Sequence, residues 1–191
     1  MPRHLLEIDD LNSTELDKVL SLSTQSSEEL LLGKGAALLF EKPSNRTRNS
    51  MEMAIVQLGG HPVTIRPDEV GIGKRESTGD VAKTLSCYHA LIGARVFEHE
   101  TVSELSAYSS VPVINMLSDE SHPLQALADL LTIKQEFGQL KGLKIAYIGD
   151  SNNVAQSLAI GSLMAGVEFR VASPKGYEFS EVSLKRIQSV S

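Results

Sequence analysis

Short apolar runs alternate with helical segments along most of this chain of 191 residues. Residues 36–40 and 90–95 form runs with little polar alternation, which is typical of strands that are buried on both faces. Residues 11–32, 78–88 and 123–137 instead repeat their apolar residues at helical spacing, and each segment is predicted to form one helix. Strands separated by helices in this way predict an α/β fold, in which helices flank a parallel sheet.

The alternation extends over two parts of unequal size. Residues 1–137 contain four predicted strands with their helices, and we expect them to form one whole domain. After a glycine-containing junction at 138–142, the chain begins a second, Rossmann-like α/β domain with a strand, a helix, a strand and the start of another helix. These elements are too few to cover both faces of a sheet, so we expect residues 138–191 to be a partial domain.

The composition argues against several kinds of partner. A net charge of −6 disfavours nucleic acid or an anionic membrane surface as the main partner. No apolar run approaches the roughly 20 residues that a membrane helix needs, and the first residues do not resemble a secretory signal. The single cysteine, Cys87, cannot form an internal disulfide, and we expect it to be buried and reduced. These features predict a cytoplasmic protein that binds any anion through a local cluster of donors.

The loop after the first predicted strand carries four such donors. Ser44 and Thr47 offer hydroxyls where a helix begins, with its unpaired N–H groups and the positive end of its dipole. Arg46 and Arg48 add charge, but two residues apart they point to different sides of a helix. We therefore predict that Arg46 reaches a ligand, through the bidentate contact that suits phosphate, and that Arg48 makes an internal ion pair. A capped helix with two solvated arginines is the alternative, and these residues alone leave it open.

A second candidate lies at the end of another predicted strand. Arg95 closes the run 90–95, and a ligand in an open α/β sheet binds beyond the carboxyl ends of the strands. Arg95 can therefore point into the ligand crevice. The alternative is a surface ion pair with Glu98 or Glu100, and it is favoured if Arg95 is considered alone.

The third candidate is the start of the helix at residues 123–137. Pro123 suits the first helical position, which makes His122 the cap, and Gln125 lies on the same side of the first turn. A histidine at the positive end of a helix tends to stay neutral and can donate an N–H to a developing oxyanion. His61 also precedes a proline but leads into a strand, so we assign His61 to structure.

These motifs, in this order, resemble the signatures of the aspartate/ornithine carbamoyltransferase family. The run S-N-R-T-R at residues 44–48 is similar to the S-T-R-T-R of that family, and H-P-L-Q at 122–125 is similar to its H-P-x-Q. Residues 73–77 and 126–132 also resemble the ornithine branch. The resemblance covers almost the whole chain.

The resemblance implies a binding site for carbamoyl phosphate. The residues that would hold the phosphate group are Ser44, Asn45, Arg46 and Thr47. The residues that would act on the carbamoyl group, the catalytic set, are Arg95, His122 and Gln125. Thr47, Arg95 and His122 would polarise the carbonyl oxygen, and Gln125 would hold the carbamoyl nitrogen. No metal and no other cofactor is implied. The family assembles as trimers with sites at subunit interfaces, so a homotrimer is implied.

The second substrate depends on the turn at residues 149–153. A dinucleotide-binding turn is disfavoured, because the chain lacks G-x-G-x-x-G and the next strand is not followed by an acidic residue. The run G-D-S-N-N instead resembles the ornithine branch, which implies that Asn153 binds the amino-acid end of L-ornithine. The implied reaction carbamoylates the side-chain amine of ornithine in arginine metabolism, giving citrulline and phosphate. Aspartate, putrescine and acetylornithine are the alternative amines.

The sequence departs from the family pattern at three positions. Asn45 stands in place of a threonine, Leu124 in place of a cysteine of the ornithine branch, and Gly71 in place of a glutamine that reaches the neighbouring subunit. The later family motifs D-x-x-x-S-M-G and H-C-L-P do not occur before Ser191. We therefore expect this chain alone to lack part of the active site, and a non-catalytic anion-binding fragment is the second hypothesis.

Overall fold

The computed structural model describes residues 2–26 and 28–190. In chain order the strands are β1 (Gly35–Phe40), β2 (His61–Ile65), β3 (His89–Arg95), β4 (Val113–Leu117), β5 (Lys144–Ile148) and β6 (Glu168–Ala172). The helices are α1 (Ser13–Leu22), α2 (Asn45–Gln57), α3 (Pro67–Val70), α4 (Thr78–Tyr88), α5 (His99–Tyr108), α6 (Pro123–Phe137), α7 (Asn153–Met164) and α8 (Glu181–Ser189). Two compact units contain these elements, one formed by residues 1–6 and 26–119 and the other by residues 7–25 and 120–191.

The first unit is built on a four-stranded parallel sheet in the order β2-β1-β3-β4. β1 lies inside the sheet, and its residues 36–40 are apolar and buried, as expected for a strand covered on both faces. Its core combines strand residues with the apolar faces of α4 and α5: Ala37, Leu39, Ile92, Ala94, Val113, Val81, Leu85, Val102 and Leu105. This arrangement confirms the predicted α/β fold. It also brings the carboxyl ends of β1 and β3 side by side, with Phe40 paired with Arg95.

The pairing of β3 with β4 changes register beside Arg95. Ala94 pairs with Asn115, whereas Arg95 pairs with Leu117, so β4 contributes one extra residue, Met116, at this point. A bulge of this kind re-aims the side chains next to it and is common near binding sites. Here it lies at the strand end from which Arg95 projects.

The second unit pairs β5 with β6 in parallel and joins them through α7. α7 is mostly apolar, and its residues 155–162 are buried. α7 shares a core with α1, α6 and a 3-10 helix at Ile8–Asp10. This core contains Ile8, Leu16, Leu20, Ala126, Leu130, Leu158 and Ile160. A Cβ added at Gly161 would lie 3.0 Å from Leu130 Cδ1, so a larger residue here would require the Leu130 side chain to shift. Because α6 packs with α1 and α7, the division into compact units differs from the predicted boundary at residues 137 and 138.

The other elements follow the prediction closely. α4 and α6 have the predicted bounds, and β1 and β3 each begin one residue before the predicted strand. The short helix α3 was not predicted from the sequence. Among the described helices, none is both long enough and apolar enough to cross a membrane.

The prediction of one helix over residues 11–32 is wrong, because α1 ends well before residue 32. The hydroxyl of Ser23 donates to the carbonyl of Leu20 at 2.8 Å, and that of Thr24 donates to the carbonyl of Ser21 at 2.9 Å. Such bonds give the backbone an alternative to helical pairing. The hydroxyl-rich stretch after α1 therefore ends the helix despite the leucines that follow it.

The prediction that Cys87 is buried is also wrong, because its side chain is exposed. α4 buries Thr78, Val81, Ala82 and Leu85. Cys87 lies outside this apolar stripe of the helix, and its thiol contacts the carbonyl of Lys83 at 3.4 Å.

His89 should make the stability of the first unit depend on pH. Its Nδ1 is buried without a hydrogen-bond partner among the described residues. Burial lowers the pKa of His89 from its ordinary value of 6.5, and the charge of His61 lowers the pKa further. Because the unfolded chain then binds the proton more tightly, the folded state loses stability as the pH falls below about 6.5.

We expect His89→Gln to reduce this loss, as measured by denaturant unfolding at about pH 7.5 and about pH 5.5. His61→Gln removes only the effect of the His61 charge on the pKa of His89. It should therefore reduce the loss of stability at low pH by a smaller amount than His89→Gln does. If the wild-type chain and His89→Gln lost equal stability between the two pH values, the assignment of this dependence to His89 would be wrong.

Candidate functional site

The loop between β1 and α2 is organised by Ser44, which caps the helix. Ser44 has an extended backbone, and its Oγ accepts a hydrogen bond from the N–H of Thr47 at 3.3 Å. The same hydroxyl donates to Oγ1 of Thr47 at 3.1 Å. α2 is thus capped, as both interpretations of the sequence allow. The cap places the hydroxyls of Ser44 and Thr47 at the carboxyl end of β1.

Arg95 joins this pair from the end of β3. Its Nη1 donates to Oγ1 of Thr47 at 3.4 Å. Among the described residues, Arg95 has no ion pair with Glu98 or Glu100, and its buried Nε has no hydrogen-bond partner. Burial lowers the pKa of the Arg95 guanidinium from its ordinary value. A partly buried cation with a spare N–H is a costly arrangement for structure alone, and it suits an anionic or carbonyl ligand.

The two arginines of the loop have separate surroundings. Arg48 Nε lies 2.9 Å from Oε1 of Glu52, which also accepts a hydrogen bond from Thr64 Oγ1 at 2.5 Å. The hydrogen bond from Thr64, and then that from Arg48, lower the pKa of Glu52. The prediction of an internal ion pair for Arg48 is confirmed. Arg46 is exposed, and its guanidinium has no hydrogen bond or ion pair within residues 2–26 and 28–190.

Asn45 occupies the first turn of α2 next to these groups. Its Oδ1 accepts from Nδ2 of Asn49 at 3.0 Å, and its main-chain carbonyl accepts from the same group at 2.8 Å. The amide N–H groups of Asn45 have no acceptor in the described part of the chain. Asn45 can therefore donate to an anion.

A cavity of about 510 Å³ opens beside this loop. Ser44, Asn45 and Arg48 line one side of it, and Arg66 and Asp68 line another. Arg66 follows β2 as Arg95 ends β3, so the strand-end signal that identified Arg95 could also have found it. Arg66 lies 3.6 Å from an oxygen of Asp68. An ion pair with an exposed carboxylate makes Arg66 a weaker candidate than Arg95.

Gly71 stands where the backbone conformation favours glycine. It ends α3 with φ 65° and ψ 48°, the left-handed conformation that favours glycine. A Cβ at this position would lie 3.0 Å from Cβ of Arg75. A glutamine here would therefore be strained in this loop.

His122 and Gln125 lie in the second unit, at the start of α6. His122 is the residue before the helix, with Pro123 in the first helical position, as predicted. The N–H of His122 donates to Oγ of Ser157 at 2.9 Å. Gln125 is exposed, and its Nε2 donates to Oδ1 of Asp129 at 2.9 Å. The sequence did not point to Ser157, because its partner lies 35 residues away in the chain.

Asn153 opens α7 within the same unit. The Oδ1 of Asn152 caps the helix by accepting from the N–H groups of Val154 and Ala155 at 3.0 and 3.2 Å. Oδ1 of Asn153 also accepts from the N–H of Val154, at 2.9 Å. Because Asn152 supplies the cap, Asn153 is the asparagine that the structure places on the first turn of the helix.

The turns after β5 and β6 are tied to each other. Oγ of Ser151 lies 2.7 Å from Oγ of Ser173, and the N–H of Ser151 donates to the carbonyl of Tyr177 at 2.9 Å. These contacts hold the turn that precedes Asn153. Within the described part of the chain, no three His, Cys, Asp or Glu side chains come together in a way that could hold a metal ion.

Two family models match the chain. The model for "Aspartate/ornithine carbamoyltransferase, carbamoyl-P binding domain" matches residues 3–135. The model for "Aspartate/ornithine carbamoyltransferase, Asp/Orn binding domain" matches residues 141–190. Together they account for nearly every element described above.

Individual relatives are named ornithine carbamoyltransferase. The chain is 50% identical to the ornithine carbamoyltransferase of Thermus thermophilus over 191 residues, which is 97% of this chain and 64% of that protein. It is 48% identical to that of Methanocaldococcus jannaschii over 181 residues, which is 92% of this chain and 59% of that protein. Among solved structures, that of the ornithine carbamoyltransferase from Pyrococcus furiosus superimposes on this chain with a TM-score of 0.93 and 41% sequence identity. The match covers 98% of this chain and 63% of that one. The chain thus spans about three fifths of the length of these relatives.

Proposed function

The chain belongs to the aspartate/ornithine carbamoyltransferase family, and on that premise we propose that it serves the transfer of a carbamoyl group from carbamoyl phosphate to ornithine. The observation that carries this proposal is the joined set of Ser44, Thr47 and Arg95 at the carboxyl ends of β1 and β3. Hydroxyl and guanidinium donors converge there, and the nearby Arg46 has no ion pair among the described residues. A small phosphorylated substrate with a carbonyl needs this combination of donors.

The phosphate group would be bound at the start of α2. Ser44, Asn45 and Thr47 would donate hydrogen bonds, and the N-terminus of the helix would add its N–H groups and dipole. Arg46 would make the charged contact, because Arg48 is held by Glu52. A guanidinium that already has a carboxylate partner gains less from a second anion.

The carbamoyl group would be activated by donors to its carbonyl oxygen. Thr47, Arg95 and His122 would donate to this oxygen, and Gln125 would hold the carbamoyl nitrogen, as the resemblance implies. Charge develops on the oxygen when the carbonyl carbon becomes tetrahedral, so donors fixed beforehand lower the barrier. Oε1 of Gln125 can accept from the carbamoyl N–H while its Nε2 donates to Asp129.

The chemical step would be a displacement at the carbonyl carbon. The neutral side-chain amine of ornithine forms a C–N bond with that carbon, and the C–O bond to phosphate then breaks. The phosphate leaves with the electron pair, and the amine proton passes to it. The products are citrulline and phosphate, and positioning supplies much of the rate.

The choice of ornithine as the amine rests on the turn before α7. Asn153 would bind the α-ammonium and α-carboxylate of ornithine, because an amide can accept from one and donate to the other. The relatives described above are named ornithine carbamoyltransferases. Aspartate, putrescine and acetylornithine are the competing amines.

The setting of the enzyme follows from the same proposal. Residues 1–137 would be the carbamoyl phosphate domain and residues 138–191 part of the ornithine domain. We place the protein in the cytoplasm, as a homotrimer that serves arginine biosynthesis. A sedimentation measurement that gave a monomer would contradict the trimer.

The proposal predicts that carbamoyl phosphate binds to this chain and that a full-length version of the protein, which includes the later family motifs, forms citrulline from ornithine. Binding is measured by calorimetry, and citrulline is measured colorimetrically with aspartate and putrescine as competing amines. Binding without citrulline would favour a non-catalytic anion-binding protein. Turnover of another amine would reject ornithine, and the absence of any binding would reject the carbamoyl phosphate site.

A further inference from the structure

Two buried polar side chains on α7 hold the loop that precedes α6. Ser157 is 2% exposed and Gln156 is 8% exposed, on a helix whose other residues there are mostly apolar. Oγ of Ser157 accepts from the N–H of His122 at 2.9 Å and lies 3.1 Å from Oγ of Ser121. Nε2 of Gln156 donates to the carbonyl of Glu120 at 3.1 Å. The loop is thus fixed to α7 at three consecutive residues.

The hydroxyl of Ser157 bonds outside its own helix. Ser103 and Thr132 donate to the carbonyl four residues earlier in their own helices. Ser157 instead pairs with the segment that precedes α6, just as Ser86 pairs with Ser109 and with the N–H of Ser110. A buried hydroxyl costs free energy unless it is paired, and the pairing here satisfies an N–H at a helix start as well.

The bonds to α7 act where the backbone of His122 enters α6. Its φ of −138° and ψ of 69° lie outside the regular helix and strand conformations, and no side chain caps α6. The two bonds to α7 fix the peptides on both sides of Ser121, and so they restrict where the imidazole can point. Ser157 lies one helical turn after Asn153, which opens the same helix.

We propose that Ser157, supported by Gln156, is a positioning residue that orients His122 toward the carbonyl oxygen of carbamoyl phosphate. This inference rests on the proposed function, in which His122 donates to that oxygen. It adds that α7, which begins at the ornithine-binding Asn153, also sets the geometry of the group that polarises the other substrate. One helix, α7, then carries Asn153 for ornithine and fixes the position of His122 for carbamoyl phosphate.

The test compares two ligands that differ in the carbonyl. Inorganic phosphate can use only the donors at the start of α2, whereas carbamoyl phosphate also uses His122. In the full chain, Ser157→Ala is expected to weaken the binding of carbamoyl phosphate by about 5- to 30-fold. The affinity for inorganic phosphate is expected to change by less than about twofold. Damage to the fold would lower both affinities.

The matched control is Ser162→Ala on the same helix. Ser162 is fully buried, but its Oγ has no hydrogen-bond partner among the described residues. Its removal should leave both affinities unchanged. The His122 ring resonance in a carbon–proton correlation spectrum, assigned with His122→Gln, should move in Ser157→Ala and stay in place in Ser162→Ala.

Each outcome has a separate meaning. If His122→Gln weakens carbamoyl phosphate but Ser157→Ala does not, the positioning role is wrong and the proposed function stands. If His122→Gln has no effect, or the wild-type chain binds no carbamoyl phosphate, the proposed function fails. Should Ser157→Ala not fold, Gln156→Met is measured in its place. An unchanged ratio of the two affinities in that variant would overturn the proposal.

Discussion

Arg46→Ala is expected to weaken the binding of inorganic phosphate and of carbamoyl phosphate by about 10- to 150-fold. Removing one charged hydrogen-bond donor from an anion costs about 1.5–3 kcal/mol, which corresponds to that range of affinity. Arg46 is exposed and has no partner in the described part of the chain, so its loss should leave the fold intact. Calorimetry gives the affinities, and thermal unfolding checks the fold.

Arg48→Ala is the matched control, two residues away in the same helical turn. Its guanidinium is paired with Glu52, so we expect both affinities to change by less than about threefold. The stability should fall by no more than about 0.5 kcal/mol, since an exposed pair of this spacing contributes little. Equal losses in the two variants would show that the helix start attracts anions through its net charge, and a loss in Arg48→Ala alone would reverse the assignment.

Arg95→Met is expected to lose carbamoyl phosphate affinity by a similar factor while keeping or gaining stability. The side chain donates to Thr47, but its buried Nε has no partner among the described residues. Methionine fills a similar volume without desolvating a cation, so the free energy of unfolding should stay equal or rise by up to about 1 kcal/mol. A gain in stability with a loss of binding is typical of a residue retained for a ligand.

Arg170→Met provides the comparison for this experiment. Arg170 is an exposed arginine on β6 that pairs with Glu168, and its replacement should change neither stability nor binding appreciably. If Arg95→Met instead destabilised the first unit by more than about 1 kcal/mol, Arg95 would be primarily a structural residue. Retention of full affinity would remove Arg95 from the site.

Most of the fold could be predicted from the sequence because its periodic signals are strong. The apolar run of β1 and the stripes of α4 and α6 indicated a parallel α/β sheet, and the structure has one. The helix predicted over residues 11–32 failed for a local reason. Hydroxyls of Ser23 and Thr24 bond to nearby carbonyls, which an apolar pattern does not report.

The candidate site could be predicted in part. Helical spacing separated Arg46 from Arg48, and the ion pair of Arg48 confirms that step. The hydrogen bond from Arg95 to Thr47 joins residues 48 positions apart, so no local pattern could predict its geometry. The same limit hid Ser157, because a serine within an apolar helix has no sequence signal until its partner is known.

The direction of the Arg95 side chain depends on the length of β4, although Arg95 itself belongs to β3. The cause is the extra residue in β4. Met116 separates Asn115 from Leu117 at the point where the pairing with β3 shifts. Substitutions in β4 that keep its length should therefore be tolerated by the site as long as the core accepts them. An insertion or a deletion there would turn Arg95 relative to Thr47 even with every named residue retained. Among diverging relatives, gaps in this strand should be rarer than its amino-acid changes.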